Sequence, residues 1–271
     1  MRACETCAQG RDAIDVSDGP LECSTPNLAF GPPPPVAIIP PQTIRLFCLP
    51  YAGGAAVAYR RLRQLLEPGI DVCALEFPGH GRRADEAVVE RLDDLVSAVV
   101  DQIAPHLGAP FALFGHSFGA IVAFEVAAAL ARRDCRCPMG LLVSAAPAPD
   151  LFSSWLGDLT AGSAAGQIIP EPVLRDPALL AHTERVLGAE LRAIRDYRPR
   201  CRRIDCPIVA LCGDVDQMVK VDDVTAWRPY GASFSGPHII SGAHLYLTTG
   251  AEQIALVIRE NLSKTRNGKD T

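Results

Sequence analysis

The residues best suited to covalent chemistry lie in the run Phe111-Ala112-Leu113-Phe114-Gly115-His116-Ser117-Phe118-Gly119-Ala120. Its apolar first half reads as a buried strand, and the alanine-rich stretch from Ile121 to Ala131 that follows reads as a helix. Strand, Gly-x-Ser-x-Gly and helix in that order is the context a nucleophile elbow requires. The turn is so sharp that only small residues fit two before and two after the serine, and here these are Gly115 and Gly119. The expected result is a Ser117 hydroxyl lifted clear of the sheet, with helix N–H groups and a positive dipole end directed at the same point.

A serine hydroxyl is a poor nucleophile at neutral pH and needs a positioned base. Of the six histidines, His244 has the fitting surroundings, since it follows Ser241-Gly242-Ala243 at the end of the last strand and precedes the closing helix. His80, in a strand-end loop, is its rival. His116 sits inside the elbow with its side chain expected to point away from Ser117, His106 ends a helix, His182 falls in a helical insertion and His238 in a strand. A carboxylate must fix the imidazole tautomer, and Leu211-Cys212-Gly213-Asp214-Val215-Asp216 offers two. Asp216, deeper in the loop, is preferred, and Asp214 is the alternative, more suited to accepting turn N–H groups. The order Ser117, Asp216, His244 is that of the α/β-hydrolase arrangement. An oxyanion hole is expected from the N–H of Phe118 and from that of Tyr51 or Ala52, where Gly53 and Gly54 let the backbone approach closely.

The elements that must position these groups alternate. Strands are expected at Thr43–Leu49, Ile70–Phe77, the elbow strand, Met139–Ser144, Pro207–Leu211 and Phe234–Ile240. Helices are expected at Tyr59–Leu66, Ala84–Leu107, after the elbow, at Val221–Trp227 and at Glu252–Leu262. Such alternation implies a mostly parallel central sheet with helices on both faces and reactive groups at the carboxyl ends of its strands. Between residues 149 and 198 the alternation stops, and helical stretches at Ala178–Leu187 and Ala189–Tyr197 imply an inserted helical lid. Residues 1–42, closing on Gly31-Pro32-Pro33-Pro34-Pro35, read as a disordered tail, 43–264 as the folded domain and 265–271 as a flexible end.

A chain of 271 residues with 48% hydrophobic and 21% charged residues suits one large α/β domain. The net charge of −5 argues against a nucleic-acid partner. No apolar run has membrane-spanning length and no secretory signal opens the chain, so a cytoplasmic protein is expected, with monomer as the default. Most or all of the ten cysteines are read as free thiols and not as a disulfide framework, Cys48, Cys73 and Cys212 acting as small hydrophobes within strands. Cys4 and Cys7 form a lone C-x-x-C, and Cys135 and Cys137 are too close for an ordinary bridge.

Leu49-Pro50-Tyr51-Ala52-Gly53-Gly54, Phe77-Pro78-Gly79, Gly115-His116-Ser117-Phe118-Gly119-Ala120, Gly213-Asp214-Val215-Asp216 and Gly242-Ala243-His244 fall in the order seen in type II thioesterases. The resemblance runs from about Thr43 to Leu262, and the Pro-Tyr-Ala-Gly-Gly loop with Trp227 and the His244 loop is its selective part. The chain departs from the family in having Gly242-Ala243-His244-Leu245 where Gly-Gly-His-Phe is usual, in a short lid and in its proline-rich tail. The resemblance implies the α/β-hydrolase fold and hydrolysis of acyl groups carried on the phosphopantetheine arm of carrier proteins in non-ribosomal peptide and polyketide assembly. It implies no metal or redox cofactor, and a local basic patch for an acidic carrier. The competing readings are a product-releasing thioesterase, a carboxylesterase on the same fold, and a docking protein without activity.

Overall fold

The structure is a computed structural model, and it describes residues 43–133, 136–161, 169 and 171–267. The expected tail 1–42, with Cys4 and Cys7, and Cys135 lie outside the described residues.

Six strands form one sheet, β1 (Ile44–Leu49), β2 (Ile70–Ala74), β3 (Phe111–His116), β4 (Leu141–Ser144), β5 (Ile208–Gly213) and β6 (Phe234–Ile240). Their order across the sheet is β2-β1-β3-β4-β5-β6, and every neighbouring pair is parallel. The central strands are buried along their whole length, which explains their near-continuous apolar runs such as IRLFCL and IVALCG. Helices cover both faces. On one, α1 (Arg60–Leu66) and α8 (Ala251–Asn267) pack Leu62, Leu66, Ile254 and Ile258 against Leu46, Val72 and Phe114. On the other, α2 (Leu92–Ile103) and α3 (Phe118–Arg132) share a core with Phe47, Leu113 and Trp227. The strand order reverses between β1 and β3, so a crevice opens at the carboxyl ends of these two strands.

The insertion between β4 and β5 is helical, as expected, with α4 (Pro149–Ala161), α5 (Glu171–Leu174) and α6 (Pro177–Ile194). A short α7 (Val221–Thr225) follows β5. Several boundaries differ from the sequence reading. The two stretches expected around residues 178–197 are one helix. Asp176 caps it by accepting from the N–H groups of Ala178 and Leu179, and Pro177 opens it. Gly188 costs this helix about 1 kcal/mol relative to alanine. Burial of Leu187, Ala189 and Ile194 on either side keeps it continuous. The helix expected from Ala84 begins only at Leu92. The preceding residues are tethered to the loop after β2, where Arg83 donates to Glu86 at 2.7 and 2.6 Å and Val88 packs on Gly79. The flexible end expected from residue 265 is still helix through Asn267. No helix among the described residues is long and apolar enough to cross a membrane.

Candidate active site

The elbow takes the form its spacing demands. Ser117 stands between β3 and α3 at φ 54° and ψ −120°, a region that side-chain-bearing residues seldom enter. A Cβ at position 115 would lie 2.2 Å from the Gly119 carbonyl oxygen, and one at position 119 would lie 2.3 Å from that of Leu49. Both positions therefore admit only glycine, and the second shows how tightly the end of β1 presses on the start of α3.

The structure brings Ser117, His244 and Asp216 together from three separate strand ends. Ser117 Oγ lies 3.0 Å from His244 Nε2, and His244 Nδ1 lies 2.9 Å from Asp216 Oδ2. A carboxylate can only accept, so His244 carries its proton on Nδ1 and presents a bare Nε2 to the serine hydroxyl. The other carboxylate oxygen accepts the N–H groups of Met218, at 2.8 Å, and Val219, at 3.1 Å. Burial pushes the Asp216 carboxyl up. The imidazole and these two N–H groups outweigh it and hold the group below its ordinary value.

Asp214 has the other role foreseen for it. It accepts from Gly242 N–H at 2.8 Å and from Ser241 Oγ at 3.1 Å, tying the β5 loop to the loop that carries His244. His80, the rival base, is turned towards Glu190. His182 lies 3.0 Å from the Gly79 carbonyl, His238 pairs with Ser235, and His106 ends a helical turn after α2.

His116 does point away from Ser117, and it does more than pack. Its Nε2 lies 2.8 Å from the His244 carbonyl and its Nδ1 2.9 Å from Ser144 Oγ, which in turn meets Tyr246 OH at 2.6 Å. The carbonyl forces the proton onto Nε2, so Ser144 donates to Nδ1 and Tyr246 donates to Ser144. A neutral imidazole is thereby locked beneath the backbone of His244. Full burial, with His244 alongside, pushes the His116 pKa down to about 3.

The expected oxyanion donors come from two elements. Phe118 opens α3, and Tyr51 and Ala52 form the loop after β1, where Gly54 N–H closes a turn on Tyr51 C=O at 2.8 Å. Among the described residues, no hydrogen bond takes up the N–H of Phe118, Tyr51 or Ala52. The reading from sequence missed two groups here. Trp155, on α4, sets its ring 6.4 Å from that of His244 and donates from Nε1 to Met218 C=O at 2.6 Å. Glu190, on α6, reaches the Gly53 N–H at 2.6 Å. Neither has a short-range signature, because each acts across more than sixty residues of chain. Among the described residues no group of His, Cys, Asp and Glu is placed to hold a metal ion.

A parallel sheet that carries a serine on a strained elbow, with an imidazole and a carboxylate at neighbouring strand ends, has the architecture of an α/β-hydrolase. Residues 44–262 match the family model described as the thioesterase domain, and the chain belongs to this family, which makes it a thioester hydrolase. It is 34% identical over 242 residues to the thioesterase PikA5 of Streptomyces venezuelae, with 85% of each chain covered. Among solved structures it resembles BorB, the type II thioesterase from the borrelidin biosynthetic cluster, at 32% identity and a TM-score of 0.67, covering 82% of this chain and 92% of that one. It also resembles ClbQ from the colibactin NRPS/PKS pathway at 25% identity and a TM-score of 0.73, covering 83% and 98%.

Proposed function

We propose that this chain is a stand-alone type II thioesterase that releases acyl groups from the phosphopantetheine arm of carrier proteins in peptide or polyketide assembly, with Ser117, His244 and Asp216 as its triad. The observation that carries the residue roles is the continuous chain from Ser117 Oγ through His244 to Asp216 at 3.0 and 2.9 Å. The substrate class is supported by the relatives, among them a type II thioesterase and a protein of an NRPS/PKS pathway.

The chemistry follows from the geometry. Ser117 Oγ attacks the thioester carbonyl carbon as its proton passes to His244 Nε2, and Asp216 stabilises the imidazolium without taking the proton itself. The carbonyl oxygen becomes an oxyanion, received by the N–H of Phe118 and that of Tyr51 or Ala52. Collapse expels the pantetheine sulfur, which leaves as the thiol with the proton held on His244. Water, deprotonated by the same Nε2, then attacks the acyl-serine, and return of that proton to Ser117 Oγ frees the carboxylic acid. No step uses a metal or redox cofactor. The carrier partner and the monomeric, cytoplasmic state belong to this reading.

The test is hydrolysis of short acyl groups from a phosphopantetheinylated carrier protein, beside the same acyl-CoA and a p-nitrophenyl ester, with Ser117→Ala as control. Faster release from the carrier, lost in the variant, is the expected result. Turnover of the oxygen ester alone would leave the triad standing and remove the thioesterase reading.

A further inference from the structure

The insertion reaches the active site through Glu190. This residue lies on α6 and is buried, 4% exposed, although glutamate is rarely buried without a purpose served by its charge. One oxygen, Oε2, accepts the Gly53 N–H at 2.6 Å. The other, Oε1, lies 3.1 Å from His80 Nε2, whose ring is equally buried, an ion-pair distance without hydrogen-bond alignment. His80 Nδ1 lies 3.1 Å from the Pro78 carbonyl and must carry its own proton there. One carboxylate thus joins three segments distant in sequence, the loop after β1, the loop after β2 and the insertion helix.

The loop after β1 depends on that join. Gly54 N–H closes a turn on Tyr51 C=O with Gly53 at φ 72°, the left-handed position of a type II turn. The peptide plane between Ala52 and Gly53 is the part of such a turn most free to flip, and its N–H is the group Glu190 holds. Thr183 and Leu187, two turns and one turn earlier on α6, close over the same glycine, since a Cβ at position 53 would lie 3.2 Å from Thr183 Cγ2 and 3.8 Å from Leu187 Cβ. The neighbouring Tyr51 and Ala52 N–H groups face no acceptor of their own among the described residues.

We infer that Glu190 is a positioning residue for the oxyanion hole, fixing the Tyr51–Gly53 backbone so that its N–H meets the developing oxyanion. This rests on the proposed triad chemistry. It makes α6 part of the catalytic frame, with His80 beside the Glu190 carboxylate as an ion-pair partner when its ring carries both protons. Fixed donors are what make an oxyanion hole effective, because a loop that must reorganise during the reaction forfeits much of its stabilisation.

The experiment compares wild type, Glu190→Gln and Glu190→Ala on an acyl-CoA thioester and on p-nitrophenyl butyrate, with folding followed by circular dichroism. Inhibition by an alkyl trifluoromethyl ketone, whose serine adduct carries an oxyanion, is measured alongside. The expected outcome for Glu190→Ala is a kcat lower by about 10- to 100-fold with KM within about twofold, and a Ki raised in parallel. Glu190→Gln, which keeps an acceptor for Gly53, is expected to recover most of both. If the alanine variant does not fold, the glutamine variant and Glu190→Asp, which withdraws the carboxylate from Gly53, carry the same comparison. Unchanged kcat and Ki in Glu190→Ala, or in Glu190→Asp where that stands in for it, would overturn the inference. So would equal losses in Glu190→Gln and Glu190→Ala, or a loss confined to KM. Wild type failing on the thioester while cleaving the oxygen ester would overturn the thioesterase reading alone, and the Glu190 comparison would then be decided on the ester.

Discussion

The proton arrangement around His244 is fixed from two directions. Asp216 determines which ring nitrogen carries the proton, and His116 holds the backbone from which the ring projects. Replacing Asp216 by asparagine keeps the shape and offers an amide N–H where the imidazole needs an acceptor. The expected result for Asp216→Asn is a kcat lower by about 10⁴-fold with the fold retained, read from steady-state kinetics and a thermal melt. His116 has a consequence for stability. Burial holds its folded-state pKa down at about 3, far below the ordinary histidine value of about 6.5. Between those values the unfolded chain binds a proton that the folded one refuses. The stabilisation is therefore complete above pH 6.5 and is lost as pH falls towards 3. At about 1.4 kcal/mol for each pH unit, the loss by pH 5 is about 2 kcal/mol. Urea midpoints measured from pH 7.5 to 4.5 should fall in wild type and fall markedly less in His116→Gln. Equal slopes would show that His116 is not the group responsible.

At the scale of elements, the elbow couples β1, β3 and α3 through contacts too close for any side chain. A methyl group at position 119 would meet the carbonyl oxygens of Leu49 and Pro50 at 2.3 and 2.4 Å, and backbone cannot step aside as a side chain can. Gly119→Ala is therefore expected to cost about 1–3 kcal/mol and to disturb the oxyanion loop, visible as a lower urea midpoint together with reduced kcat. This element was legible in the sequence because its rule is local, small residues two places either side of a serine between strand and helix. Asp216 was distinguishable from Asp214 for a similar reason, since three residues past Gly213 the loop has turned far enough to reach His244. The reading failed where distant contacts decide. Gly188 looked like a helix break and is carried through by burial of its neighbours. The segment after Ala84 looked helical and is drawn off by Arg83 and Gly79. Glu190 gave no signal at all, because its partners Gly53 and His80 are fixed only by the closed fold.

At the scale of the whole molecule, the insertion grips the site from both sides. On the oxyanion side α6 holds the loop after β1 through Glu190, and on the acid side α4 holds the Asp216 loop through Trp155, whose Nε1–H donates to Met218 C=O at 2.6 Å. The Met218 N–H is itself bound by Asp216, so the indole hydrogen bond acts one peptide away from the carboxylate that orients His244. The two anchors draw on different bonds and, in the proposed mechanism, bear on different groups, the oxyanion donors and the carboxylate of the triad. Trp155→Phe keeps an aromatic ring and removes the donor alone. Loss of a partly buried hydrogen bond of this kind costs about 1 kcal/mol, enough for a several-fold change in rate if it falls on the Asp216 loop. The expected outcome is a kcat lower by about three- to tenfold, with little change in the trifluoromethyl ketone Ki beyond what kcat/KM explains. Combining Trp155→Phe with Glu190→Ala, which removes the Gly53 acceptor, tests whether the insertion acts as one rigid body or as two separate clamps. Independent clamps give effects on log kcat that add, as for sites without shared partners. A double variant no worse than the poorer single one would mean that releasing either anchor already frees the insertion as a whole.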